Sequence, residues 1–225
     1  MITQVNDRVW TATSEFKVFG LIQLNGRCTI IKCNDGFLWV HSPIRLSQEL
    51  KAQVDVLGPV KYLVAPSLFH HLFVGEWLEA YPTAEVYAPK GLHKKQPNLN
   101  IAHTMTHSKE PYAWSEEIDH VFLAGMPAVN EYVFYDKPSQ TVIITDLCFY
   151  FPQASGFTKL YLKINKVYQQ LNTPLLFKSV IKDKSAFKDS VAELKAWEVQ
   201  YLSLCHHAVL AGQDIEHWHK YLAQY

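Results

Sequence analysis

Four strand-like segments of this chain end beside residues that bind metals or transfer protons. Segments 61–65, 141–145, 200–204 and 37–40 lead to His70-His71, Asp146, Cys205-His206-His207 and His41. In open α/β sheets, ligands gather outside the carboxyl ends of strands, so residues distant in sequence meet at one edge. Zinc, iron and manganese bind imidazole nitrogen and carboxylate oxygen. The spacing therefore predicts a metal site at a sheet edge, with candidate ligands His70, His71, Asp146, His206 and His207.

The same residues also fit a purely structural interpretation. The histidines would then be hydrogen-bonded side chains, and Asp146 would cap a helix at the end of its strand. Neighbouring residues of a strand point to opposite faces, so His70 and His71 can reach one site together only from a loop or a helix start. The sequence leaves both interpretations open.

The order of the predicted elements indicates how these residues are positioned. Strands are expected at 18–24, 28–33 and 37–40, with a hairpin turn at Asn34-Asp35-Gly36. A helix is expected from Ser47 to 56. It is followed by a β-α-β unit, which consists of a strand at 61–65, a helix at 71–81 and a strand at 84–87. A loop over 89–116 with a short helix near Leu92 comes next.

A second group of elements follows the loop. It consists of strands at 118–123, 131–135 and 141–145, helices at 159–171, 174–181 and 183–197, a strand at 200–204 and a helix at 214–223. Two groups of strands, each followed by helices, predict an α/β (α+β) fold in which two sheets pack together with helices outside. We expect one domain over residues 1–225, arranged as a four-layer αββα sandwich.

Composition narrows the function classes. Of the 225 residues, 48% are hydrophobic and 19% charged, which is typical of a globular protein. Lys plus Arg and Asp plus Glu each number 21, so we expect neither a nucleic-acid nor a membrane partner. With no long apolar run and no signal-peptide pattern at the start, a cytoplasmic protein is expected. The four cysteines form no C-x-x-C pair and are expected to be reduced and buried. Nothing in the sequence indicates an oligomeric state.

Seven lysines lie in the helical segment between residues 159 and 188. They could attract a phosphate or carboxylate ester to the neighbouring site, or they could simply cover a solvated helix face. Dinucleotide, P-loop and G-x-S-x-G motifs are absent, so nucleotide-dependent chemistry and serine hydrolysis have little support.

The motifs also resemble a known superfamily. Ala65-Pro66-Ser67-Leu68-Phe69-His70-His71, Thr145-Asp146-Leu147 and Cys205-His206-His207 occur in the order of the T-H-x-H-x-D-H, G-D and H-G elements of the metallo-β-lactamase superfamily. Segments 36–43, 63–77 and 144–147 resemble the branch known as domain of unknown function 4336, over roughly residues 7 to 212. The resemblance implies the αββα fold and metal-dependent hydrolysis.

Carried over by position, the resemblance implies a depleted site. His71 falls on the last histidine of the first element, His70 on its aspartate, Asp146 on the metal-bridging aspartate, His206 on the final histidine and His207 on the glycine after it. Pro66, Leu68 and Met126 fall where the superfamily has histidine ligands. We therefore expect at most one ion, of zinc, iron or manganese, and an apo protein remains open.

The resemblance also implies roles for individual residues. Metal ligands would be His70, His71, Asp146 and His206, with Asp146 and His70 catalytic and with His41, Glu131 and His207 as outer candidates. An open three-ligand site could lower the pKa of a bound water to about 7 and hydrolyse a small ester, amide or phosphoester. Because fold does not determine function, a non-catalytic binding protein that has lost its metal is the alternative. The small-molecule substrate is not identified.

Overall fold

The computed structural model describes residues 1–18, 22–107, 111–206 and 208–225. The strands are β1 (Ile2–Gln4), β2 (Val9–Val18), β3 (Ile22–Lys32), β4 (Leu38–His41), β5 (Val60–Val64), β6 (Glu85–Pro89), β7 (His103–Met105), β8 (Ile118–Phe122), β9 (Tyr132–Asp136), β10 (Thr141–Ile144), β11 (Tyr201–Leu204) and β12 (Val209–Ala211). The helices are α1 (Gln48–Leu57), α2 (Val74–Ala80), α3 (Leu92–Lys95), α4 (Gly156–Ile164), α5 (Leu175–Ser179), α6 (Lys184–Glu193) and α7 (Glu216–Leu222). In the described part of the chain, no helix has the length and apolar character needed to cross a membrane.

The strands form two sheets. The first has the order β1-β2-β3-β4-β5-β6-β7, and the second has the order β12-β11-β10-β9-β8. Strands β4 to β7 run parallel, as does the pair β10 and β11, whereas the other pairs are antiparallel. The predicted β-α-β unit is confirmed as β5, α2 and β6, with Leu63 opposite Val86.

Alternation along the strands builds the layers, because successive side chains point to opposite faces of a sheet. In β3, Ile30 packs in the cluster that includes α1, α2 and α3, whereas Ile31 packs between the sheets. In β10, Ile143 lies between the sheets, and Val142 and Ile144 pack with α6 and α7. The fold is thus a four-layer αββα sandwich, and the predicted fold class is confirmed.

Several predicted boundaries were wrong. The strand predicted at 18–24 is instead the end of β2 at Val18 and the start of β3 at Ile22, while residues 19–21 lie outside the described residues. The helix predicted at 71–81 begins only at Val74, because residues 70–73 form a turn. The helix predicted at 159–171 ends at Ile164, since Lys166 adopts a left-handed φ of 58° that a helix does not accommodate.

Besides most of β2, of which only Val18 lay in a predicted strand, three strands of the described residues were not predicted from the sequence, namely β1, β7 and β12. Each is three residues long, which is too short to show a period-two alternation of apolar and polar residues.

Candidate metal centre

Three segments deliver the candidate residues to one edge of the sandwich. His70 lies in the turn after β5, Asp146 follows β10, and Cys205 and His206 follow β11. Because β10 and β11 are parallel neighbours with Ile144 opposite Leu204, the residues that follow them emerge side by side. The structure thus brings His70, Asp146 and His206 together across 136 residues of sequence.

The carboxylate of Asp146 lies between the two imidazoles. Its Oδ1 is 3.3 Å from His70 Nε2 and 3.5 Å from His206 Nε2. Its Oδ2 is buried and has no hydrogen-bond partner among the described residues. Ligand atoms of His70, Cys205 and His206 also lie within 4.8 Å of one another. A buried carboxylate oxygen without a donor is costly, so this position favours a cation.

Each imidazole is held by contacts to its other nitrogen. His206 Nδ1 lies 2.9 Å from the backbone oxygen of Asn25, which can only accept, so Nδ1 carries the proton and donates. His70 Nδ1 lies 2.9 Å from Ser42 Oγ and 3.4 Å from Cys205 Sγ. Both rings therefore direct Nε2 toward Asp146, in the arrangement that outer hydrogen bonds impose on metal-binding histidines.

The backbone at Ser42 is unusual. Its φ is 50°, which lies in the left-handed region that non-glycine residues seldom adopt. Ser42 is the first residue after β4, and its amide donates to the Val64 oxygen at 3.0 Å. This geometry directs the hydroxyl toward His70, and strained residues of this kind concentrate at functional sites.

The group formed by His70, Asp146, Cys205 and His206 contains several ionisable side chains although it is buried. Desolvation opposes ionisation, but Cys205 and Asp146 together hold the pKa of His70 well above its usual value. Burial likewise raises the pKa of the Cys205 thiol, yet His70 and His206 outweigh burial and bring it to about 6. The same two histidines hold the pKa of Asp146 below its ordinary value despite its burial. These shifts favour the anionic forms of Cys205 and Asp146 beside the two imidazoles.

Glu131 supports the loop that carries Asp146. Its Oε1 accepts from the Thr145 amide at 2.9 Å, the Thr145 hydroxyl at 2.6 Å and the Asp146 amide at 2.8 Å. Burial and the charge of Asp146 raise the pKa of Glu131 to about 7. Its role as an outer ligand stays a prediction, and its hydrogen bonds are those of a residue that positions Asp146.

His71 lies outside the cluster. Its Nδ1 lies 3.2 Å from Gln96 Nε2, and burial together with Lys95 lowers its pKa. Consecutive residues of the turn point in different directions, so His70 faces Asp146 and His71 does not. Among the described residues, His71 does not belong to the group whose ligand atoms lie close together, and its role as a ligand stays a prediction.

The other outer candidates are placed differently. His41 is fully buried, stacked on Trp39 at 5.6 Å and edge-on to Phe134 at 5.4 Å. Neither of its ring nitrogens has a hydrogen-bond partner among the described residues, and burial and His70 hold its pKa well below the usual value. His41 thus packs as a neutral aromatic side chain. His207 lies outside the described residues.

Apolar side chains occupy the positions where the superfamily carries its other histidines. Leu68 packs in the cluster beneath α1, α2 and α3, and Met126 is fully buried against the cluster that includes α6. Pro66 uses its backbone oxygen to accept from the Tyr132 amide at 2.9 Å. Among the described residues, the ligand atoms that lie within 4.8 Å of one another are those of His70, Cys205 and His206, and the positions of Leu68 and Met126 supply no ligand for a second ion.

Cys205 and Ser42 were not predicted as site residues. Cys205 was expected to be an ordinary buried thiol. Its position at a strand end, directly before His206, is the feature of the sequence that could have identified it as a site residue. Ser42 follows His41 in the same way. Thiolate is a preferred zinc ligand, so Cys205 adds a soft donor to the cluster.

Comparison with solved structures defines the class of fold. The chain superposes on a metallo-β-lactamase from Pontibacter korlensis with a TM-score of 0.67 at 12% identity, covering 100% of this chain and 99% of that one. It superposes on a metallo-β-lactamase from Erythrobacter litoralis, which holds β-mercaptoethanol in its active site, with a TM-score of 0.67 at 12% identity and coverage of 100% and 96%. For a metal-soaked flavodiiron core from Synechocystis, the TM-score is 0.70 at 9% identity, with coverage of 99% and 60%. The protein therefore has a metallo-β-lactamase-like fold.

The sequence assigns the chain to a family within that class. Residues 6–206 match the profile of the family described as domain of unknown function (DUF4336), and the chain belongs to this family. No curated protein matches it by sequence.

Proposed function

We propose that the protein is a metal-dependent hydrolase with a single-ion site formed by His70, Asp146 and His206. The observation that carries the proposal is the convergence of two imidazole Nε2 atoms on Asp146 Oδ1, while Ser42 and Asn25 hold the opposite nitrogens. Ligands of a tetrahedral zinc ion with bonds of about 2.0–2.1 Å are separated by about 3.3 Å, which is comparable to both His–Asp distances.

When bound, such an ion supplies a Lewis acid and a water that ionises near neutral pH. The residues of this chain supply the rest of the chemistry. Asp146 provides the negative charge and orients the two rings, and Ser42 holds His70 so that Nε2 is presented as a ligand. Glu131 fixes the backbone at Asp146, which holds the position from which its side chain reaches the two rings. The substrate class would be a small ester, amide or phosphoester.

Cys205 makes a second ligand set available. Since one imidazole nitrogen binds one ion, His70 offers either Nε2 beside Asp146 or Nδ1 beside Cys205. Ser42 Oγ already contacts Nδ1 at 2.9 Å, so the set that uses Nε2 requires less rearrangement. With a thiolate this close, zinc suits the cluster better than manganese.

A non-catalytic binding protein on the same fold is the alternative, and two observations favour it. Leu68 and Met126 replace ligands by apolar packing, and the cluster is nearly closed, because Asp146 is 2% and His206 6% exposed. In that case Asp146, His70 and Cys205 form a network of charged side chains that stabilises the fold without a bound metal ion.

Adjacent histidines provide the test. His70→Gln removes a ligand from the cluster, whereas His71→Gln changes a neighbouring imidazole that lies outside it. The parent protein and both variants, together with Cys205→Ser and Asp146→Asn, would be purified without chelator. Metal content would be measured before and after exposure to zinc, iron or manganese, and melting temperature would be measured for each sample. We expect about one ion per chain in the parent and His71→Gln, and at least about a tenfold weaker affinity in His70→Gln.

Each outcome has a defined meaning. Equal metal content in the two histidine variants would show that the ligands lie elsewhere, and two tightly held ions would contradict the single-ion site. Loss of metal in Cys205→Ser with retention in Asp146→Asn would favour the set built on Nδ1. Absence of metal in every sample, with lowered melting temperature in Asp146→Asn, would favour the binding protein.

A further inference from the structure

One face of α4 is apolar and exposed. Phe157, Leu160 and Ile164 are 75%, 56% and 59% exposed, respectively, although large apolar side chains are usually covered. Their spacing of three and four residues places them on one side of the helix. Leu162 on the opposite side is buried and anchors α4 to the protein.

Helix α5 also exposes apolar side chains. Leu175 and Leu176 are 44% and 58% exposed. Both helices pack on one small cluster, since α4 inserts Leu162 into it and Phe177 of α5 packs against it. We call the exposed faces of α4 and α5, with their lysines, the α4–α5 surface.

Lysines border these apolar side chains. The ammonium groups of Lys159 and Lys163 lie 5.1 Å and 5.8 Å from the centre of the Tyr168 ring, so both lie on one flank of α4. Lys166, two residues after the end of α4, acts electrostatically on Lys178 of α5, whose pKa is lowered by burial and by this neighbour. Glu15 lines the cavity beside Thr158, so one acid borders the beginning of α4.

Charge along this part of the chain is one-sided. Residues 147–182 contain five lysines and no aspartate, glutamate or arginine. The overall balance of 21 basic and 21 acidic residues conceals this segregation. Large apolar side chains exposed on one helix face mark an interaction site, and bordering lysines favour an anionic partner.

We propose that the α4–α5 surface binds the face of an anionic lipid bilayer. Phe157, Leu160 and Ile164 enter the headgroup region, and the lysines contact lipid phosphates. A bilayer face offers both an apolar layer and a layer of negative charge, as basic amphipathic helices require. A nucleic acid would match the lysines but leave the apolar residues uncovered.

This surface lies close to the metal centre. Phe177 contacts Phe149 with ring centres 5.7 Å apart, and Phe149 contacts His206 at 4.5 Å. A protein bound through α4 and α5 would hold the site near the lipid headgroups. The binding itself does not depend on whether the site holds a metal.

The test is co-sedimentation with vesicles of phosphatidylcholine alone or mixed with phosphatidylglycerol, at low and at high salt. We expect binding to the anionic vesicles that weakens with salt. Replacing Lys163 and Lys166 by Glu should weaken it about tenfold or more for each lysine, since each contributes attraction near the charged surface. Leu160→Ser with Ile164→Ser should also abolish binding, because apolar insertion is lost.

A control variant changes an exposed lysine and an exposed aliphatic residue elsewhere on the protein. Lys32 is exposed in β3 and Val56 is 86% exposed on α1, so Lys32→Glu with Val56→Ser should bind vesicles as the parent does. Circular dichroism would establish that each variant is folded. Equal binding to both kinds of vesicle, or no loss in the lysine variant, would overturn the proposal. So would sedimentation velocity showing that the surface joins two copies of the chain while vesicles are not bound.

Discussion

At the scale of single residues, the candidate centre depends as much on supporting groups as on its ligand candidates. Asp146 is directed by Glu131, His70 by Ser42 and His206 by the Asn25 carbonyl. Sequence could nominate His70, Asp146 and His206 because each lies just beyond a strand. It could not identify a backbone carbonyl or a hydroxyl as a partner, because those contacts depend on loop geometry that has no residue-type signal.

Glu131 is the supporting residue with the most measurable effect. Glu131→Ala leaves three buried donors without an acceptor, so we expect a loss of about 3 kcal/mol or more in the free energy of unfolding. Glu131→Gln keeps an acceptor oxygen and should lose less, with metal content unchanged. Urea unfolding of both variants measures the difference. Equal losses would mean that the carboxylate charge, and not the hydrogen bonds, stabilises the loop.

At the scale of elements, the turn between β8 and β9 must approach α6 closely. Gly125 has a φ of 77°, and a side chain there would place its Cβ 2.1 Å from the Asp183 backbone oxygen. The Gly125 oxygen in turn accepts from the Lys182 amide at 2.8 Å. Sequence predicted the strands and the helix on either side of this contact but gave no indication that they meet.

Substitution at Gly125 should therefore be severe. Gly125→Ala combines a left-handed backbone with a clash against main-chain atoms that cannot rotate away, and we expect a cost of about 3 kcal/mol or more. Asp183→Ala, which only removes the cap that accepts from the Ser185 and Ala186 amides, should cost about 1 kcal/mol. Melting temperatures of the two variants test this order, and a milder effect at Gly125 would mean that α6 can shift.

Strand β8 carries a histidine whose titration should affect stability. Burial lowers the pKa of His120, which packs among Tyr112, Trp114 and Tyr132. The folded state therefore binds its proton less readily than the unfolded state, so stability is full above about pH 6.5 and is lost as the pH falls below it.

Replacing this histidine should remove that contribution. As the pH is lowered from 8 to 5.5, we expect the free energy of unfolding of His120→Gln to rise relative to that of the parent protein. Urea unfolding at each pH measures this difference. A constant difference across this range would show that His120 does not titrate differently in the folded and unfolded states.

At the scale of the whole molecule, buried polar groups connect the two sheets. Arg27 in β3 donates from Nε to the Leu204 oxygen at 3.0 Å and from Nη1 to Thr11 Oγ1 at 2.9 Å. Thr29 Oγ1 lies 2.9 Å from Ser203 Oγ in the second sheet. The order of strands and helices predicted two sheets, but their relative placement rests on long-range pairs that a single sequence does not reveal.

Arg27 should be the most sensitive of these connections. Arg27→Met keeps an unbranched apolar stem but removes the guanidinium donors to the Leu204 and Thr11 oxygens, and we expect a loss of about 2–4 kcal/mol. Thr29→Val should cost about 1 kcal/mol, because a single hydrogen bond is lost. Thermal unfolding of both variants decides whether Arg27 connects the sheets, and equal small losses would argue against that role.

Because Ser42 has a left-handed backbone, a screen for stability would not detect the loss of its side chain. Ser42→Gly removes about 1–2 kcal/mol of left-handed strain but adds chain entropy to the unfolded state and removes a hydrogen bond, and each of these costs about 1 kcal/mol. These contributions nearly cancel, so the variant should melt close to the parent temperature even though His70 has lost its restraint. Screening for thermal stability or expression would therefore retain glycine at position 42, and only an assay of the site itself would detect the change.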